Sequence, residues 1–230
     1  MQPDISLPHR MLTPVQIKSM LALQAGMNQK VDEDWVRSRH PYLRAVVIEG
    51  AEAIEHHGWK WWKKQDKDLS QLQMELIDIW HFLLSELLLQ TNGELAPAAT
   101  LLQNHVADNE LAQQVTFDGQ IYMLEDIDLL AKIELLIGVA ASKRVEIGLF
   151  AAIMTDCGLS WDELYRQYVG KNVLNFFRQD HGYKSGEYQK LWNGREDNEH
   201  LVDVLDQLDA RDSNFQDQIY GNLAERYPLT

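Results

Sequence analysis

The chain has a single cysteine, Cys157, among 230 residues, which excludes an intramolecular disulfide framework and suits a reducing compartment. A cytoplasmic location is therefore expected. It also lacks an unbroken apolar run: the most apolar stretch, 79–89, is interrupted by His81, Ser85 and Glu86, whereas a spanning helix needs roughly 20 apolar residues. No membrane segment is expected. The N-terminal stretch with Pro3, Pro8, Arg10 and Pro14 has no continuous apolar core of a secretory leader. Basic side chains are scarce, 21 against 35 acidic, for a formal charge of −14. Such a surface repels long polyanions and argues against nucleic acid as a partner. A small anionic ligand would need cations gathered locally.

Apolar residues instead recur at spacings of three and four from residue 15 to about 180, the period of amphipathic helices. The chain reads as all α, with helices over 14–30, 41–57, 68–91, 95–104, 124–140, 143–157, 161–180 and 199–209. Gly158 suits a helix C-terminus, and Ser160 with Glu163 reads as a capping box opening the next helix. From Gln113 to Tyr122 a short strand or irregular loop competes with helix, and the last twenty residues, being polar, are expected to pack loosely. No repeat or linker divides the chain, so 1–230 is taken as a single domain, with 92–160 a helical insertion or mobile subdomain.

Glu49 and Glu52 lie three apart on the second predicted helix and leave one face, with Val47, Ala51 and Ile54 directed roughly opposite. The next helix repeats the spacing with Glu75 and Asp78, and there Leu72, Leu76, Ile77, Ile79, Trp80, Leu83, Leu84, Leu87 and Leu88 cover nearly the whole circumference. A helix apolar all round is buried. Its carboxylates are thus carried inward, where an unmatched charge is costly. A connection of about ten residues favours antiparallel neighbours, which would bring the four acids together. Hard oxygen donors without a cysteine or histidine set select Mg²⁺ or Mn²⁺ over zinc.

Between the acidic pairs lies Gly58-Trp59-Lys60-Trp61-Trp62-Lys63-Lys64; indoles can pack on a planar base and lysines can meet phosphate. Farther on, Lys171, Asn175 and Arg178 form one helical stripe, followed by the donor-rich turn His181-Gly182-Tyr183-Lys184-Ser185-Gly186. In an acidic chain this stripe is the natural clamp for phosphate.

These blocks together resemble the dimeric, all-α dUTPases of the MazG-like NTP pyrophosphohydrolase superfamily. Glu49-Gly-Ala-Glu52, Gly58-Trp-Lys-Trp-Trp-Lys63, Glu75-Leu-Ile-Asp78-Ile-Trp-His81-Phe82, Lys171-Asn-Val-Leu-Asn175-Phe-Phe-Arg178, Gly182-Tyr183-Lys184 and Glu196-Asp197-Asn198 follow the order of that family's motifs. Gly50 departs from a usual cysteine or alanine, at a cost in helix propensity, and His181 replaces a more usual asparagine. The resemblance implies a helical bundle of the all-α NTP pyrophosphatase type and a homodimer. It implies that Glu49, Glu52, Glu75 and Asp78 hold Mg²⁺, with Glu49 also orienting or deprotonating the attacking water. It further implies a triphosphate gripped by Lys171, Asn175, Arg178, Tyr183, Lys184 and Lys190. The nucleoside would be held by Gln24, Asn28, Trp61, His81, Phe82 and Asn198.

The implied reaction is in-line attack of water on the α-phosphorus of dUTP, giving dUMP and pyrophosphate, with dUDP also accepted. Two other enzyme readings use the same residues: a dCTP or broader NTP pyrophosphohydrolase, and a di-iron bundle suggested by the Asp78–His81 spacing. The latter lacks a second carboxylate–histidine element on a core helix. A non-catalytic helical scaffold with a structural cation is the third alternative, and apolar stretches such as Leu129–Leu136 are candidates for a subunit interface.

Overall fold

A run of helices begins at Thr13, whose hydroxyl accepts the Gln16 amide while the Gln16 side chain accepts the Thr13 amide, with Pro14 opening the first turn. The computed structural model describes residues 11–109 and 113–228; the N-terminal stretch through Arg10, read above for a leader, lies outside them. The helices are α1 (Pro14–Val31), α2 (Trp35–Ser38), α3 (Tyr42–His57), α4 (Leu69–Gln90), α5 (Leu95–Asn109), α6 (Leu129–Ala141), α7 (Ile147–Asp156), α8 (Trp161–Asp180), α9 (Asp197–Leu205) and α10 (Phe215–Arg226). Two antiparallel hairpins complete the described residues, β1 (Gln114–Phe117) with β2 (Gln120–Met123) and β3 (Leu191–Trp192) with β4 (Arg195–Glu196). The fold is all α, as the periodicity predicts.

The central element is α4, which touches α1, α3, α5 and α8. The nine apolar residues named for it above, from Leu72 to Leu88, are all buried, each worth roughly 1.5–3 kcal/mol when taken from water, while Met74 and Phe82 are half-buried. Asp68 caps its N-terminus by accepting the Gln71 amide at 3.1 Å. Helix α3 lies along α4 and is covered on its other side by α6. Its buried residues are Leu43, Val46, Gly50 and Ala53, a stripe between the acidic face and the opposite face of Val47, Ala51 and Ile54. Ala51 is exposed, Val47 and Ile54 are half-buried, and the acids project from the rim of the buried stripe.

At Gly50 a Cβ would stand 2.8 Å from Ile137 Cγ1 of α6. Glycine there permits the close approach of α3 and α6, which is the physical reason for a residue that is otherwise a poor helix former. Helix α6 starts at Leu129 and not at 124, because β2 extends to Met123 and Asp128 caps the helix through the Ala131 amide. The stretch 113–122 resolves into a hairpin whose turn, Asp118-Gly119, has positive φ at both residues (49° and 73°), the requirement of a two-residue type I′ turn.

Three further expectations are corrected. Leu129, Ile133, Leu135 and Leu136 are buried inside the chain's own core, so this stretch is not free to form a subunit interface. The C-terminal residues do not pack loosely: Phe215, Ile219 and Leu223, four apart on α10, are buried where α10 meets α8 and α9. Ser160 caps α8 through the Glu163 amide, but the Glu163 carboxylate binds Arg166 at 2.7 and 2.8 Å, so the reciprocal half of the box is missing. Gly158 has the positive φ of 67° expected just past a helix end.

Candidate active site

Helices α3 and α4 bring three acids together. One carboxylate oxygen from each of Glu49, Glu52 and Glu75 lies within 4.8 Å of the other two. Glu75 is buried, Glu49 half-buried and Glu52 exposed, so the cluster runs from the interior to the surface. Burial first, then the charges of Asp78, Glu75 and Glu52, pushes the Glu49 carboxyl up to about 7. Burial, followed by Asp78 and Glu52, raises Glu75 to about 7 as well. Like charges this close cannot all ionise unless a cation joins them. His56, one helical turn beyond Glu52, approaches Glu75 Oε1 at 3.2 Å.

Asp78 stands beside this trio and is held by Lys171 of α8, Nζ to Oδ2 3.1 Å. It also lines a pocket of about 270 Å³ with Gln24, Asn28, His81, Phe82, Ser85 and Asn175, closed by Met27, Val31, His40 and Tyr42. Ligand pockets run from about 300 to 1,000 Å³, so this one is small. The pocket exists because polar residues replace apolar ones on two buried helix stripes. On α1, Gln24 and Asn28 continue the line of Ile17, Met20 and Leu21. On α4, Asp78, Phe82 and Ser85 follow Glu75 along one face.

The polar wall is fully cross-linked on its inner side. Gln24 Nε2 donates to Asn28 Oδ1 (3.1 Å) and to Ser85 Oγ (2.9 Å). Gln24 Oε1 faces His81 Nδ1 (2.9 Å) and the Tyr168 hydroxyl (3.0 Å). Burial drives the His81 imidazolium down to about 4, so the ring is neutral. Because an amide oxygen only accepts, His81 Nδ1 carries the proton and Nε2 presents a lone pair. Two atoms of this wall, Asn28 Nδ2 and His81 Nε2, are buried without a partner.

A family model described as dUTPase matches residues 16–183, which take in the acid cluster, the pocket wall and the Lys171 stripe. The chain belongs to the all-α dUTPase family. It is a dUTP diphosphatase, hydrolysing dUTP to dUMP and pyrophosphate, and this assignment brings with it dependence on a divalent metal. No curated protein matches the chain.

In this dUTPase the basic side is tied back onto the protein. Arg178 donates to both carboxylate oxygens of Asp197 (2.8 and 2.9 Å) and to Asn175 Oδ1 at 3.2 Å. Asp197 is wholly buried and also accepts from the Tyr188 hydroxyl at 2.8 Å. Burial alone would raise its carboxyl, but the bonds and charge of Arg178 hold it below the usual carboxylate range. Tyr183 and Lys184 are exposed; Lys184 Nζ reaches the Val31 carbonyl at 3.3 Å, beside the pocket rim. Lys190 is exposed and pairs with Glu196 at 3.5 Å.

The structure thus gathers Gln24, Asn28, Asp78, His81, Phe82 and Asn175 in one pocket and Glu49, Glu52 and Glu75 beside it. Two of the nucleoside candidates stand elsewhere. Trp61 is 86% exposed in the 58–67 connection, packed edge-on against Trp59 and Trp62. Asn198 is placed with Arg178, Nη2 to Oδ1 3.4 Å. His181 donates from Nδ1 to the Phe177 carbonyl at 2.7 Å and stacks on the Phe177 ring, so its role is in the packing under α10. Sequence reading missed Ser85, although it extends the Glu75–Asp78 stripe by one turn. It also missed Tyr168 and His40, which come from elements distant in sequence, and held Asp197 only as part of a motif, without a role.

Proposed function

We propose that Glu49, Glu52 and Glu75, with Asp78 as the fourth acid, hold Mg²⁺, which Mn²⁺ can replace, and that dUTP lies with its base in the Gln24–His81 pocket and its phosphates toward Lys171. The reading rests above all on Asp78, which stands beside the acidic cluster and lines the pocket and so joins the cation end to the base end. The donor set fits a hard divalent ion: clustered carboxylates, two of them made by burial and by their acidic neighbours to hold protons up to about pH 7. When bound, such an ion supplies charge for the phosphate oxygens and acidifies water.

Glu49 takes the proton of the water that attacks the α-phosphorus. The bond from that phosphorus to the bridging oxygen breaks, and pyrophosphate leaves. Lys171, Asn175 and Arg178, with Tyr183, Lys184 and Lys190 from the following segment, balance the leaving group's charge. Positioning and electrostatics therefore carry the rate. The same attack on dUDP releases phosphate, so dUDP is a second substrate. Uracil is selected by edge pairing: the unpartnered His81 Nε2 accepts its N3–H and the unpartnered Asn28 Nδ2 donates to a ring carbonyl. Cytosine offers a lone pair at N3, which would face a lone pair. The enzyme works in the cytoplasm as a homodimer.

Pyrophosphate release from dUTP, dCTP, dTTP and UTP, with and without Mg²⁺, tests this reading. Activity on dUTP that needs the ion is expected; equal rates on dCTP would overturn the base assignment. Glu49→Gln should lose at least about 100-fold in kcat while still binding nucleotide, and unchanged turnover would remove Glu49 from the proton transfer.

A further inference from the structure

The pocket wall has a direction, and the direction decides which base fits. The two ends of a side-chain amide have the same shape, so their orientation is settled by their neighbours. If Gln24 turned over, its nitrogen would face His81 Nδ1, the imidazole proton would move to Nε2, and Asn28 would turn to keep its bond to Gln24. The wall would then offer a donor from His81 and an acceptor from Asn28. That is the complement of cytosine, with its N3 lone pair and its exocyclic amine. Both arrangements fill the same space.

Two residues behind the wall bear on this choice. Tyr168 of α8 is completely buried, its ring lies over His81 with centroids 4.3 Å apart, and its hydroxyl is 3.0 Å from Gln24 Oε1 and 2.9 Å from the Met20 carbonyl. Asn172, one turn on and also fully buried, sends Nδ2 toward that hydroxyl at 3.4 Å. The single phenolic proton has two acceptors in reach, the Met20 carbonyl and Gln24 Oε1, and in the wall as described it goes to Gln24 Oε1. The Met20 carbonyl loses nothing by this, since it lies inside α1, where the amide four residues on serves it. The reversed wall would put two donors, Gln24 Nε2 and Asn172 Nδ2, on the phenol oxygen, one of whose lone pairs is delocalised into the ring, and would send its proton to the Met20 carbonyl, which a helix amide already serves.

We infer that Tyr168 and Asn172 are positioning residues that fix the hydrogen-bond direction of Gln24, His81 and Asn28, and so set the preference for uracil over cytosine. Neither touches the base. This rests on the reading that the pocket takes the base edge, and the tests separate the two.

The first test uses the intact enzyme: ¹⁵N shifts of the His81 ring in the free protein should report the proton on Nδ1. A proton on Nε2 would overturn the inference. The second compares wild type with Tyr168→Phe, which keeps the ring and removes the hydroxyl. The ratio of kcat/KM for dUTP over dCTP should fall by about tenfold or more, with KM for dUTP rising more than kcat falls, and His81 should become a mixture of tautomers. An unchanged ratio with an unchanged tautomer would also overturn it. If the variant does not fold, the wild-type tautomer decides. Should the wild type itself show no preference for dUTP over dCTP, the base-pocket reading fails first, whatever the tautomer.

Discussion

Glu49 and Glu75 keep their protons toward neutrality because burial and the neighbouring acids penalise ionisation. The unfolded chain releases the same protons near pH 4.5, so between about 4.5 and 7 the folded state binds more protons than the unfolded one. The contribution to stability is full below that window and is lost as pH rises through about 7. These acids titrate as a coupled group. For metal-free protein, Tm should therefore decline across the window, and Mg²⁺ should raise Tm more at about pH 8 than at about pH 5. A thermal melt series at several pH values checks this; an equal Mg²⁺ effect at both ends would mean that the ion binds elsewhere. The Arg178–Asp197 pair acts on the other side of the scale, since its depressed carboxyl supports the fold above the ordinary carboxylate range and is lost only in acid.

Helix α3 depends on a missing side chain. Alanine at position 50 would gain about 1 kcal/mol of helix propensity, but its Cβ would meet Ile137 Cγ1 at 2.8 Å, and overpacking costs about 1–3 kcal/mol. Gly50→Ala should thus lower Tm in the wild-type background and raise it, or leave it level, once Ile137→Ala has made room. A second expectation concerns α10: Leu223 is fully buried, so Leu223→Ala should cost about 2–5 kcal/mol in denaturant unfolding, whereas a loosely packed tail would lose almost nothing. The long helices were readable because a period of 3.6 runs through them and caps such as Asp68 and Ser160 mark their starts. Helix α10 was not, because its three buried apolar residues, four apart, are diluted by Gln, Asp and Asn. The 114–123 hairpin was legible only as a competitor, through Val115, Phe117 and Gly119; the turn at Asp118-Gly119 came from the structure.

At the scale of the molecule, the acidic helices were readable as chemistry because α4 is apolar on every side, so that acids on it could not be surface decoration. The pocket was only partly readable: Gln24 and Asn28 entered through family resemblance, while Tyr168, on α8, reaches Gln24 across 144 residues of sequence, with Asn172 behind it. Distance in the chain hides such a network, since each member alone looks like an ordinary helical residue. Light scattering tests the proposed homodimer, with a mass twice the 26.6 kDa of the chain expected; a monomer would overturn the dimer and leave the hydrolase intact. The 58–67 connection has an optical consequence. Trp61 and Trp62 are 86% and 59% exposed, while Trp35, Trp80 and Trp192 are buried. Red-shifted emission should therefore come chiefly from the connection between the two acidic helices, and the lysines around it would draw in iodide, making collisional quenching a local gauge of that loop.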